Sequence, residues 1–395
     1  MHYTKKITED IIWAGASDRR ITLFEGLYPV NDGMAYNSYL IKDEKTVLVD
    51  TCDKAVSGQF FENVEAALGG RELDYVIVQH MEPDHSATLG ELVLRYPGVK
   101  IVTNAKSISM IKQFFDFDID SRAVPVGEGD ELDIGSRKLS FIAAPMVHWP
   151  EVIMTYDPKS KALFSADAFG SFGSIDGSIW ADSKDYILYV GEARRYYTNI
   201  VGKYGAQVQA VLKKASSLDI KMLLPLHGLA WRKDLDLILG SYDKWSSFTA
   251  EDDGAAVLYA SIYGNSAAVA DIIAGKIADQ GKKVTVVDCN MKQHSYAVSA
   301  AFRHKNIVIV SPTTDGGIMS SMEDVVHAIA AHNLQNREVF VVENGTWAPV
   351  VRRKVTELFG GLKNVNVSEA SFAFRSSLKE DGIEPLERLV EAICG

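Results

Sequence analysis

A chain of 395 residues, 47% hydrophobic and 24% charged, has material for two or three globular domains. Its net charge of −11 speaks against a nucleic-acid partner, which asks for a basic face. No apolar run is long enough for a membrane span, residues 1–10 hold no apolar signal core, and the isolated Cys52, Cys289 and Cys394 offer neither a disulfide framework nor a Cys-x-x-Cys iron centre, so a reducing cytoplasm is expected.

Strand and turn alternate first, over 20–24, 38–41 and 46–50, with Asp43-Glu44-Lys45 as a turn. Phe60, Val64, Ala67 and Leu68 fall at helical spacing, closed by Gly69-Gly70. Tyr75-Val76-Ile77-Val78-Gln79 is a β-branched apolar run that predicts a buried strand. At its end stand His80, Glu82, Asp84 and His85, four metal-capable side chains within six residues. Pro83 lies among them and predicts a turn, not a helix. Imidazoles and carboxylates together suit divalent Fe, Mn or Zn.

A strand is expected at 100–104, then a helix through Met110, Ile111 and Phe114. Three further runs repeat the pattern of strand then ligand: 139–144 is followed by His148, 162–166 by Asp167, and 220–225 by His227. Within residues 1–250 the remaining histidine is His2. Gly127-Glu128-Gly129 lacks the third glycine and the helix of a dinucleotide loop, so it reads as a turn between strands. One long helix is expected over 186–215, carrying Tyr196 and Tyr197, and another over 234–247. This order suits an αββα sandwich spanning 1–250.

Residues 248–254 are polar, end in glycine and read as a linker. Strands at 256–260, 283–288, 306–311, 338–342 and 363–369 then alternate with helices at 266–280, 295–303, 322–332, 349–359 and 378–393. That alternation predicts a doubly wound, five-stranded parallel sheet over 255–395. Ser261-Ile262-Tyr263-Gly264-Asn265-Ser266 joins the first strand to its helix and offers hydroxyl and backbone N–H donors to a phosphate. Pro312-Thr313-Thr314-Asp315-Gly316 and Asn344-Gly345-Thr346-Trp347 follow later strands and converge where strand order reverses.

The first ligand segment resembles the His-x-His-x-Asp-His signature of the metallo-β-lactamase fold, with Glu82 at the second histidine position. Together with His148-Trp149-Pro150-Glu151, Asp167-Ala168-Phe169-Gly170 and Glu192-Ala193-Arg194-Arg195-Tyr196-Tyr197, the chain resembles the flavodiiron proteins, and its C-terminal third resembles flavodoxins. The resemblance implies a diiron centre in which His80, Glu82 and His148 bind one ion, Asp84, His85 and His227 the other, and Asp167 bridges, with His85 able to give way to water. It implies FMN, its phosphate held by the 261–266 loop and its ring by the two later loops. Tyr197 and Trp347 become candidate catalytic residues, with Tyr196 and Trp149 beside the ligands.

The implied activity is reduction of dioxygen to water, of nitric oxide to nitrous oxide, or both. Electrons would come from a separate rubredoxin-like protein or a reduced deazaflavin, and the chain would work as a head-to-tail homodimer or a dimer of dimers. Two other classes compete: a zinc hydrolase of the metallo-β-lactamase type with a flavin module attached, and a non-catalytic electron carrier. Glu82, the flavin module and the full set of seven ligand-type residues favour the reductase.

Overall fold

A computed structural model describes residues 1–395, the side chain of Leu188 excepted. The chain divides into two compact units, Met1–Tyr197 with Ala206–Tyr242, and Thr198–Gly205 with Asp243–Gly395.

The first unit is built on two mixed sheets. One has seven strands in the spatial order Lys5–Lys6, Ile11–Trp13, Tyr39–Lys42, Thr46–Val49, Tyr75–Ile77, Lys100–Thr103 and Ala123–Pro125. The other runs Glu131–Asp133, Lys138–Ala143, Ile153–Asp157, Ala162–Phe164 and Met222–Leu224. Thr46–Val49 and Ile153–Asp157 are buried at every residue, because the sheets are covered on both faces. The sheets meet through Tyr39 and Phe164, whose ring centroids are 5.4 Å apart. The outer helix Ser57–Leu68 buries Phe60, Phe61, Val64, Ala67 and Leu68, and Gly69 ends it with φ 61. Buried Arg137 ties the two sheets together, reaching Asp43 in the turn between Tyr39–Lys42 and Thr46–Val49 and Asp157 in the second sheet, each at 2.9 Å.

The structure departs from three local expectations. Pro83 opens a one-turn helix, Pro83–Ser86, because a first-turn proline sacrifices no hydrogen bond and its φ is already helical. The single helix expected over 186–215 is broken into Tyr186–Tyr196, a π turn Tyr197–Val201, a 3-10 turn Gly202–Tyr204 and Gly205–Ala215. Gly205 packs so close to the Ser246 carbonyl that an added Cβ would lie 2.3 Å from it. The strand expected over 20–24 shrinks to Leu23–Phe24, which pairs with Tyr28–Pro29.

The second unit is a parallel sheet in the order Val284–Asp288, Asp252–Tyr259, His304–Thr314, Arg337–Asn344, Val365–Val367. Chain order reverses at Asp252–Tyr259, so the crevice lies beyond the carboxyl ends of that strand and of His304–Thr314. Val257, Val308, Val310, Phe340 and Val342 form its core with Ile273, Ile277, Leu389 and Ile393 from the helices. The expected linker ends early: Asp252–Gly254 already belong to the first strand, where Lys283 and Arg303 both hold Asp252 at 2.6 Å. The fifth strand, expected as one piece over 363–369, is split into Val365–Val367 and Phe372–Phe374, both paired with Arg337–Asn344.

Candidate functional site

Ligand-type side chains from four separated loops of the first unit converge at the carboxyl ends of its strands. His80, Glu82, His148 and Asp167 offer atoms that all lie within 4.8 Å of one another, and so do Asp84, His85 and His227. Asp167 joins the groups. Its Oδ2 lies 3.3 Å from His80 Nε2 and 3.1 Å from His148 Nε2, while its Oδ1 lies 3.2 Å from His85 Nε2 and 3.6 Å from His227 Nε2. Glu82 Oε2 reaches His148 Nε2 at 3.0 Å and His80 Nε2 at 3.2 Å; Asp84 Oδ2 reaches His227 at 3.1 Å and His85 at 3.3 Å. Glu82 is extended at the N-cap of the short helix, and the following turn drives Asp84 and His85 inward, where both are buried.

The imidazoles are aimed by groups behind them. His80 Nδ1–H donates to Glu151 Oε1 at 2.7 Å, and the Met81 N–H donates to the same oxygen at 2.9 Å. His227 Nδ1–H donates to the Ala35 carbonyl at 2.8 Å. Both therefore turn Nε2 toward the cluster. Aromatic rings wall off His227: Phe24 at 5.2 Å, Tyr196 at 5.6 Å and Tyr36 at 5.7 Å, while Trp149 lies 5.2 Å from His80. Tyr197 turns elsewhere, its ring 4.9 Å from Tyr242.

Burial opposes charge on His80, but Asp167, Glu151 and Glu82 outweigh it and hold the imidazole well above its ordinary range. The same balance, dominated by Asp167 and Glu82, lifts His148 to about 9. Glu82 falls to about 2 despite burial, through His148 and His80. Backbone strain collects around the site. Met146, Ala166 and Phe169 take left-handed φ of 64°, 49° and 67°, each within two residues of His148 or Asp167. Gly170 lets the Asp167 and His227 loops touch, since a Cβ there would meet the Asp167 carbonyl at 3.0 Å.

In the second unit a cavity of about 390 Å³ opens at the sheet crevice. Ser261, Ile262, Tyr263, Asn265 and Ser266 line it, with Pro312, Thr313, Asp315 and Gly316, and with Asn344, Gly345, Thr346 and Trp347. Gly264 and Thr314 are not on its wall: Gly264 (φ 91) is the N-cap of Asn265–Asp279, and Thr314 pairs with Gly317. That helix has no side-chain cap, so its first N–H groups face the cavity without a protein acceptor of that kind. Ser261 Oγ accepts from the Gly264 N–H at 3.1 Å and Asn290 Oδ1 from the Ser261 N–H at 2.8 Å, which sets the loop. Trp347 is 88% and Tyr263 92% exposed at the rim.

Residues 34–228 match the family model "ODP family beta lactamase". The chain is 32% identical over 369 residues to the anaerobic nitric oxide reductase flavorubredoxin of Aeromonas hydrophila, covering 92% of this chain and 74% of that one. The chain belongs to the flavodiiron protein family. Among solved structures, a variant of the flavo di-iron protein of Thermotoga maritima superposes with a TM-score of 0.86 at 25% identity, covering 99% of this chain and 98% of that one. The flavodiiron protein of Giardia intestinalis has a TM-score of 0.92 at 24% identity, covering 100% and 98%.

The donor set fits the two cofactors of a flavodiiron protein. Both Asp84 carboxylate oxygens, Asp167 Oδ1 and His85 Nδ1 are buried and take part in no hydrogen bond. Buried anionic oxygens left in that state ask for a cation. Mixed imidazole and carboxylate donors in two halves suit two borderline divalent ions. Glu151, Ala35 and Ser376 escaped the sequence reading as site residues. Glu151 was visible in His148-Trp149-Pro150-Glu151, but nothing local pairs it with His80. Ser376 lines the cavity of the second unit and exchanges hydrogen bonds of 3.0 Å with Asn344; only the unexpected strand end at Phe374 marks it. Among the described residues, no helix is long and apolar enough to cross a membrane.

Proposed function

We propose that this flavodiiron protein reduces dioxygen to water, nitric oxide to nitrous oxide, or both, at a two-iron site fed by FMN. The observation that carries this is the division of Asp167, whose two oxygens face different ligand groups. His80, Glu82 and His148 would hold one iron, Asp84, His85 and His227 the other, and Asp167 both. Two ferrous ions and reduced FMN together supply the four electrons that dioxygen requires. The nitric oxide arm is supported by the activity in the name of the Aeromonas relative.

The protein's own groups set the conditions. Glu151 and the Ala35 carbonyl fix the tautomers of His80 and His227. Phe24, Tyr36 and Tyr196 keep bulk water from the His227 side. The helix at Asn265 and the 261–266 loop would take the FMN phosphate, and the 312–316 and 344–347 loops would flank the ring, with Trp347 against it. Tyr197 supports the site from behind through Tyr242. A cytoplasmic setting, a head-to-tail homodimer that sets one chain's flavin against the other's irons (or a dimer of such dimers), and a rubredoxin-like or deazaflavin donor complete the reading. Rubredoxin-type supply is supported by the word flavorubredoxin in the relative's name.

Anaerobic metal and flavin analysis followed by stopped-flow oxidation with each gas tests this reading. Two irons and one FMN per chain, with rapid flavin oxidation by at least one gas, are expected. Protein that works with zinc and without iron contradicts it and favours the hydrolase.

A further inference from the structure

A single buried side chain grips the turn that carries His227. Asn37 lies between the strands Met34–Tyr36 and Tyr39–Lys42 and is fully buried. Its backbone N–H donates to the Leu226 carbonyl at 2.7 Å. Its Nδ2 donates to the Pro225 carbonyl at 2.8 Å and to the Gly228 carbonyl at 2.9 Å. Its Oδ1 accepts the Trp13 Nε1–H at 2.8 Å. An indole nitrogen only donates and carbonyl oxygens only accept, so these partners fix which way the carboxamide faces. In the same segment the Ala35 carbonyl takes the His227 Nδ1–H at 2.8 Å. Residues 35–37 therefore hold both the ring of His227 and the backbone on either side of it.

We propose that Asn37 is the positioning residue for His227. By fixing the turn before and after the imidazole, it sets Nε2 beside Asp84 Oδ2, 3.1 Å away, and so governs the affinity of the iron that these two residues would share with His85. This assignment rests on the two-iron reading above. It gives Asn37 no contact with iron or substrate; the residue acts through His227 alone.

The packing around His227 leaves this task to hydrogen bonds. Phe24, Tyr36 and Tyr196 surround the imidazole with rings. Apolar burial is non-directional, so it fills space without fixing where the nitrogens point. Asn37 supplies the direction. Its two N–H donors lie in one plane and meet two carbonyls of one turn, which Gly228 closes with φ 69 just past His227. An aspartate of the same shape would keep the acceptor for Trp13 but set a carboxylate oxygen against both carbonyls. The Tyr39 hydroxyl also reaches the Pro225 carbonyl at 2.8 Å, so that end keeps a donor, whereas the Gly228 end loses the Asn37 amide. The remaining ligand segment has supports of its own. Glu151 aims His80, and Asp50 Oδ1 accepts the Gln79 N–H at 2.8 Å and the His80 N–H at 3.4 Å. The Thr51 N–H and hydroxyl both donate to the His85 carbonyl, at 3.0 and 2.7 Å. Loss of the Asn37 amide therefore bears on one half of the cluster.

The test compares wild type with Asn37→Asp and with Trp13→Phe, which removes the donor that orients the carboxamide. Iron is titrated against a chelator, and the two stepwise affinities are read separately. Asn37→Asp should lower one of them by about 10–100-fold and leave the other as in wild type. Trp13→Phe should lower the same one by less. In metal-free protein carrying 15N-histidine, the Nδ1–H resonance missing from His227→Gln should lose its protection from solvent exchange in Asn37→Asp, while that of His80 keeps it. A general loosening of the unit would move both affinities and both resonances together, and that result overturns the proposal. So do two wild-type affinities in folded Asn37→Asp protein. Where Asn37→Asp does not fold, Trp13→Phe decides by the same two readouts. Wild type that binds fewer than two irons per chain overturns the two-iron reading itself, a failure seen before any variant is made.

Discussion

Glu151 Oε1 lies 2.7 Å from His80 Nδ1 and takes the Met81 N–H as well. One carboxylate thus fixes the ring of a metal-ligand candidate and the backbone that carries it. Glu151 is itself buried. Removing it should weaken metal binding without removing a ligand. Glu151→Ala is expected to lower iron affinity on the His80 side by about 10–100-fold, measured by chelator competition. Unchanged affinity would mean that His80 is aimed by packing alone.

The shared position of Asp167 sets an order among ligand variants. Asp167→Ala should cost both ions, whereas Glu82→Ala should cost mainly the ion on the His80 and His148 side. Metal content after dialysis checks this. Equal losses from the two variants would argue against a bridge.

The metal-free cluster should hold extra protons. Despite burial, His80, His85 and His148 are raised by the facing carboxylates, His148 to about 9. Iron uptake at pH 7 should therefore release protons, His148 giving up close to one, read with an indicator dye in weak buffer. Raised values stabilise the folded metal-free state fully below the unfolded histidine value of about 6.5, and that stability is lost as pH rises toward 9. The melting temperature of metal-free protein should fall over this window, and that of iron-loaded protein should not. A flat metal-free curve would contradict the charge pairing.

Asn265 begins the uncapped helix at the cavity of the second unit, the proposed FMN site. Asn265→Asp places a carboxylate where the phosphate dianion would sit, and should raise the FMN dissociation constant by about tenfold, or ~1.4 kcal/mol. Fluorescence titration of the flavin-free protein measures this. The same affinity in both proteins would place the phosphate elsewhere.

Arg137 bonds to Asp43 and Asp157, and also to Asp10, from a buried position far in sequence from all three. Arg137→Ala would strand two buried carboxylates and should cost about 3–5 kcal/mol. Denaturant unfolding of the first unit's transition reads the loss.

The convergence of the seven ligand-type side chains was legible because each follows an apolar strand run, so distance in sequence did not hide it. The groups that aim them were not. The Ala35 carbonyl is a backbone atom with no signature of its own, and Glu151 meets His80 only after two strands from different sheets are placed. The loops that line the cavity of the second unit were legible for the same reason, except Ser376, which depends on a fifth strand broken at Ser368–Ser371. The helix break at Tyr197–Val201 was hidden because its residues keep an apolar pattern, while the close approach of Gly205 to Ser246 exists only in the fold.

Mössbauer spectroscopy of protein reconstituted with 57Fe asks whether Asp167 makes one centre of two ligand groups. Two irons per chain in a single magnetically coupled pair are expected in wild type, and loss of that signal with the ions in Asp167→Ala. Two uncoupled irons in wild type, or a single iron per chain at saturation, would contradict a single bridged centre.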